Sequence, residues 1–435
     1  MEPTLPYLIN DADNHFIEPE DMFVRYIDPK WREKVVEFVT DAEGNRAELY
    51  GGKPSKLASS RESVPRSAAE LEQLAEKSAA AEPSEDSPRP GDGGARAPGM
   101  FLSRLNPYKK LSVEERKALI QDFKRQEHAW GDRDLRLALM TQQGIHAALM
   151  FPGHVLALEF EFQDDVDAIY ANARAYNRFV YEEVGYAAEE RLFMPAYISL
   201  ADVDLAVEEL ERVLKEGARI VLFMAGHAHG GRADPMGGRS IADPIYDPVW
   251  ARINEAGVRV ATHLGSTDYA KYGADLSEDP TATLRDFNGL QWVLYWGDRP
   301  AMETVASMIM HNLFGRFPNV RVCLSEQGTV WLPYILRKLD HAFLMGRGSR
   351  FGELDRRPKE IFRENFIVAP FPEENVQRVV DEIGLEPIVF GSDFPHGEGL
   401  AFPAEYADAQ LSGMTDQQVQ AIMRDNLARF LELPA

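Results

Sequence analysis

From residue 133 to the C-terminus, short apolar runs alternate with amphipathic stretches. No other feature constrains the fold as tightly. HAALMFP, RLFMPAYISL, RIVLFMAG, VRVATHLG, VRVCLSEQG, FIVAP and PIVFGSD read as buried strands. Segments such as DVDLAVEELERVLKEG and EENVQRVVDEIG read as the helices between them. Strand–helix alternation on this scale requires a parallel sheet with crossover helices. With LINDADNHF as a first strand, the strands number eight. That favours a closed (β/α)8 TIM barrel over a doubly wound α/β sheet, and 435 residues fit it as one domain, 1–435. There is no glycine-rich dinucleotide or phosphate loop.

Two segments interrupt the rhythm. VVEFVTDAEGNRAELYG predicts an N-terminal hairpin around a Glu-Gly-Asn turn. Residues 52–100 are rich in Ser, Pro, Ala and Glu and poor in large apolar side chains. They cannot bury much surface, so they read as a flexible insertion with one helix near Ala68 to Ala81. Nothing in them carries chemistry, which favours a passive linker over a lid.

The formal net charge of -23 argues against nucleic acid or an anionic membrane as partner, because both select positive surface. The single cysteine, Cys323, lies in an apolar run, and no intramolecular disulfide can form. MEPTLPYLIN has neither the basic region nor the apolar stretch of a signal peptide. A cytoplasmic enzyme with a small-molecule substrate is the expectation, with a homodimer as the commonest arrangement of such enzymes.

The strand ends carry the chemistry. Asp13 and His15 end the first strand, His263 the fifth, Glu326 the sixth and Asp393 the eighth. A parallel barrel gathers all its C-terminal strand ends at one mouth. Asp13 and His15, two apart, face the same way and suit one divalent ion. Glu18 is placed to support His15 from outside the ligand set. Asp393 and Glu326 at the mouth would be costly to bury without a metal or a protonated partner. That cost also argues against a non-catalytic scaffold. His227 and His229 form a second alternating pair that could complete a second metal site, bind substrate, or merely decorate a glycine-rich loop. His154 and His396 face the mouth as substrate contacts. Phe151, Trp292, Trp296, Phe394 and Phe402 either line an aromatic substrate pocket or belong to the core. There is no Gly-x-Ser-x-Gly elbow, so the chemistry on offer is a metal-polarised carbonyl and metal-activated water.

DADNHFIEP, RLALMTQQGIHAALMFP, AYNRFV, DPIYDPVWARINEAGVRVATHLGS, RFPNVRVCLSEQGTVWLPYILRKLD and IVFGSDFPHGEG resemble the amidohydrolase-related proteins, also called amidohydrolase family 2, of the metal-dependent amidohydrolase superfamily. The resemblance implies a barrel with a divalent metal at its C-terminal mouth. It matches Asp13 and His15 to the paired ligands, His263 to the fifth-strand ligand and Asp393 to the eighth-strand acid. The family's non-oxidative decarboxylases carry a histidine at the end of the sixth strand, where this chain has Glu326. Hydrolysis of an amide, ester, lactone or thioester is therefore the first expectation. Asp393 or Glu326 would take the proton, and His263 would ligate the metal or polarise the substrate. Decarboxylation of a small carboxylic acid, with Asp393 protonating carbon, is the alternative. The ion is expected to be zinc, iron or manganese, as one ion or two, with Glu326 and His227 or His229 holding the second.

Overall fold

The computed structural model describes residues 5–40, 46–56, 97–163, 165–228, 238–265, 289–290 and 298–433. Most of the insertion, with its expected helix, lies outside them, as do His229, Trp292 and Trp296.

The first strand, β1 (Ile9–His15), is buried along its whole length. The predicted hairpin follows as β2 (Val36–Thr40) and β3 (Arg46–Tyr50), antiparallel with Val36 opposite Tyr50. β4 (Ile145–Phe151) pairs parallel with β1 and sets His15 beside Phe151. The register against β4 shifts between Asp11 and Asn14, an irregularity that re-aims the end of β1. β5 (Leu192–Phe193) continues this sheet beside β4.

A second parallel sheet contains β6 (Ala196–Tyr197), β7 (Ile220–Met224), β8 (Arg259–His263), β9 (Val322–Ser325) and β10 (Phe366–Val368), paired in that order. Its interior strands are apolar on both faces, as IVLFM in β7 shows, which is the signature of a parallel sheet covered on both sides. The third expected strand is divided at Met194 and Pro195: β5 pairs with β4, and β6 pairs with β7. The eighth forms isolated parallel bridges, not a ladder: Ile388 with Val368 and Phe394 with Asn14. Its backbone bonds reach both neighbours. Val389 N donates to Val368 O at 3.1 Å, and Ala12 N donates to Phe390 O at 2.8 Å. The chain is thus an α/β protein built on parallel sheets.

The helices begin where their caps dictate. Asp132 opens α2 after the longer α1 (Val113–Gln126), and α2 runs over Arg133–Gln142. Asp165 opens α3 (Val166–Phe179) and Asp202 opens α4 (Val203–Lys215). Each aspartate accepts from a backbone N–H of the first turn, a contact that contributes about 1 kcal/mol. α1 is absent from the sequence reading, although Ser112 and Glu115 form a legible capping box at its start. Helix α5 (Asp247–Ala256) buries Val249, Trp250 and Ile253 in the core that the strands share. α6 (Asp298–Met310) follows the β7 and β8 units. A separate apolar cluster joins Ala97, Tyr108, Phe123, Leu139, Phe394 and Ala401, and so packs the segment after the insertion against the eighth strand's loop. Among the described residues no helix is long and apolar enough to cross a membrane.

Candidate metal centre

Side chains from three strand ends converge. Asp13 and His15 come from β1, His263 is the last residue of β8, and Glu326 lies one residue past β9. Their ligand atoms all lie within 4.8 Å of one another. His263 Nε2 is 3.1 Å from Glu326 Oε2 and 3.4 Å from Asp13 Oδ1. His15 Nε2 is 3.1 Å from Asp393 Oδ1 and 3.6 Å from Glu326 Oε2. A second, overlapping group contains His15, Glu326, Asp393 and His396.

Parallel register places these residues at one level, since His263 lies beside Met224 on one side and Ser325 on the other. Both Glu326 and Asp393 have left-handed backbones, with φ of 50° and 54°. A non-glycine residue there costs on the order of 1–2 kcal/mol, and such strain persists where neighbours fix it. For Asp393 the fixing bond runs from its own N–H to Asp13 O at 2.7 Å. Gly391 permits the close approach, because a Cβ there would lie 2.6 Å from Asp13 Cβ.

The donor set fits a divalent cation. Asp13 Oδ1, His15 Nε2 and His263 Nε2 are buried and make no hydrogen bond. Leaving such polar atoms dry and unpartnered is costly unless a cation meets them. His263 Nδ1 lies 2.6 Å from Leu264 O, which holds the proton on that nitrogen and turns the Nε2 lone pair inward. Burial, with His396 and His263 adding to it, holds His15 well below the usual imidazole range, so its ring is neutral and its Nε2 is available to a cation. Burial and the neighbouring Asp393 and Asp13 carboxylates push Glu326 well above the usual carboxylate range. A cation would relieve that repulsion.

His396 completes the rim. Its Nδ1 is 2.7 Å from Asp393 Oδ1, and its ring centroid is 3.9 Å from that of His15. Burial opposes its charge, but the Asp393 carboxylate outweighs this and raises His396 to about 9. Phe151 packs against His263 at 4.4 Å between ring centroids.

Other sequence candidates lie elsewhere. His227 Nε2 is 3.0 Å from Glu303 Oε2 on α6, apart from both ligand groups. His154 Nδ1 is 3.1 Å from Glu48 Oε1 of the hairpin. Glu18 does not support His15: both its oxygens accept from Gly153 N at 3.1 Å and close the turn after β4. Phe394 and Phe402 are held in the separate apolar cluster.

The sequence reading missed the layer beneath. Asp11 is fully buried and accepts from Ser392 N at 2.9 Å, Ser392 Oγ at 2.5 Å and Asn14 Nδ2 at 2.9 Å. Its position two residues before Asp13 was a usable signal. Arg136, also fully buried, donates to Asn14 Oδ1 and His15 O, and no local pattern marks that contact.

The chain is similar to proteins of known structure. An amidohydrolase from Mycobacterium avium subsp. paratuberculosis is similar over 99% of this chain and 100% of its own, with 28% identity and a TM-score of 0.77. A dihydroxybenzoic acid decarboxylase from Polaromonas sp., with bound manganese and 2-nitroresorcinol, shares the fold at 21% identity and a TM-score of 0.53, over 72% of this chain and 90% of its own. A 5-carboxyvanillate decarboxylase from Novosphingobium aromaticivorans, complexed with manganese, shares it at 14% identity and 0.56, over 98% of this chain and 97% of its own. The amidohydrolase family model matches residues 102–433, a span that includes His263, Glu326, Asp393 and His396, and the chain belongs to the amidohydrolase family.

Proposed function

We propose that the chain is a metal-dependent, non-oxidative decarboxylase of a small carboxylic acid. We also propose that its sheets close into a (β/α)8 barrel. Closure is supported by β5 and β6, which share one strand between the two sheets, and by residues 387–394, which bond to both β1 and β10. Asp13, His15 and His263 would hold the ion, with Glu326 or Asp393 completing the set. A bound divalent ion supplies the charge that grips and polarises a carboxylate or carbonyl oxygen. Manganese is the first ion to test, given the manganese in the two decarboxylases of like fold.

The observation that carries the reading is the imidazole of His396, paired with Asp393 beside the ligands. Decarboxylation needs a proton delivered to carbon. Asp393, supplied through His396 Nδ1, would give its proton to the carbon as the bond to the carboxylate breaks, and that carboxylate leaves as CO2. Phe151 offers an apolar wall next to His263.

Glu326 favours a second reading. A carboxyl group of raised proton affinity at the end of β9 suits a general base for water attack on an ester, amide, lactone or thioester. The test is to load the full chain with Mn2+ and offer hydroxybenzoates and, separately, a lactone and ester panel. CO2 release that is lost in His396→Ala is expected. Hydrolysis without CO2 from any carboxylic acid would replace the first reading with the second.

A further inference from the structure

Arg136 of α2 is a buried cation, and among the described residues no carboxylate is within ion-pair distance of it. Burying a guanidinium in this way is costly, so its contacts must serve the native state specifically. Its Nη2 donates to Asn14 Oδ1 and, at 3.0 Å, to His15 O. Its guanidinium carbon stands 5.0 Å from the centroid of the Phe394 ring, where a cation is attracted to the aromatic face. Nε and Nη1 make no hydrogen bond. Among the described residues its hydrogen bonds and its cation–aromatic contact therefore fall on one of two segments: the end of β1, which carries Asp13 and His15, or the loop that carries Asp393.

Asn14 extends the link. Its amide donates to Asp11 Oδ2 at 2.9 Å and to Ser392 Oγ at 3.3 Å. Asp11 in turn accepts from the backbone N–H of Asp13 at 3.1 Å and of Ser392 at 2.9 Å. Two segments 381 residues apart are thus tied through Asn14 and Asp11 as well as through the guanidinium. Phe394 also packs against Trp130 at 6.1 Å and Phe123 at 6.5 Å between ring centroids.

Resting on the metal-centre reading above, we infer that Arg136 is a positioning residue for that centre. It holds the β1 ligands and the Asp393 turn in one fixed relation, so that the ion meets a preformed site. Lysine could keep the charge but not the geometry, because its compact ammonium on a flexible stem lacks the planar group that here meets Asn14 Oδ1 and His15 O through Nη2 while its carbon stands over the Phe394 ring.

The test measures Mn2+ affinity on the full chain, by loss of the free-ion electron paramagnetic resonance signal, together with the melting temperature of the chelated protein. Arg136→Lys is expected to weaken Mn2+ binding by about 10–100-fold, the usual effect of removing support behind a ligand. Asn14→Ser, which leaves Arg136 in place but breaks its link to Asp11, should weaken binding in the same direction with little change in melting. Folded variants that bind Mn2+ as wild type does would overturn the inference. So would variants that fold only poorly even with Mn2+, since Arg136 would then be a folding residue. A wild-type chain that takes up neither Mn2+ nor Zn2+ removes the metal reading itself, and that result appears before any variant is made.

Discussion

His263 and His227 look alike in sequence, since each closes an apolar strand in a barrel-like series, yet they end in different places. His263 is the last residue of β8 and points its Nε2 at Asp13 and Glu326. His227 comes three residues after Met224, the end of β7. Between them Gly226 turns with φ of 94° and donates its N–H to Thr304 on α6, which steers His227 toward Glu303. Asp11 is a third case, two residues deeper on β1 than Asp13, and its carboxylate accepts from Ser392, Asn14 and the Asp13 backbone N–H instead of joining the converging ligand atoms. Depth along the strand decides the role. At the rim, side chains from different strands converge on one point. Beyond it they follow their own loops, and below it they are locked into the sheet.

The largest effect should follow from removing a rim ligand. His263→Ala is expected to lower Mn2+ affinity by at least about 100-fold, more than loss of a supporting contact would, and to abolish turnover. Metal content after dialysis and activity after reloading would measure it. Full metal retention in this variant would break the comparison at its strongest point.

A smaller loss should come from disturbing the level at which two strand ends meet. At Gly391 a methyl group would lie 2.6 Å from Asp13 Cβ and 2.9 Å from Ala369 Cβ. Gly391→Ala must push Asp13 out of register with His263. An affinity loss of about 10-fold is expected, at the low end for a displaced support, with the fold retained by circular dichroism. An unchanged affinity would mean that the ligands adjust independently of the sheet.

Much of this rim was legible in the sequence, because it depends on local pattern. Apolar runs marked the strands, and the residue closing each run marked the level. The reading failed where contacts are non-local. Arg136 bonds to residues more than 100 positions away, and nothing around it in sequence announces that. Glu18 was misassigned for a related reason: spacing placed it near His15, but the unsatisfied N–H of Gly153 claimed its carboxylate. The eighth strand reads as a full strand from composition, whereas only isolated bridges form. The chain there is bent by bonds to Asp11 and Asp13 that a hydropathy pattern does not record.

The deep layer can be separated from the rim by pH. Burial raises Asp11 to about 7, although bonds from Ser392, Asn14 and the Asp13 N–H pull the other way. A carboxyl group raised in the folded state stabilises the fold below its unfolded value, near 3.8, and loses that contribution as pH climbs toward 7. Asparagine mimics the protonated form at every pH. In chelated protein, the melting advantage of wild type over Asp11→Asn should therefore shrink steadily between these limits. A constant difference would show that Asp11 does not titrate there and that its role is purely geometric.

The smallest effect is expected at the histidine beyond its strand end, and it is the sharpest test of the depth rule. His227 is only partly buried and faces a carboxylate that Arg299 also engages at 3.1 Å. Removing the imidazole leaves Glu303 with that arginine, so no unpaired charge is created, and a partly exposed pair of this kind contributes about 0–1 kcal/mol. His227→Ala should keep full metal content, with stability lowered by no more than that amount. If the variant instead lost metal in parallel with His263→Ala, His227 would belong to the ion's coordination in the loaded enzyme. The loop at 225–228 would then have to reach across the mouth, and position along the strand would no longer be sufficient to tell a ligand from a bystander.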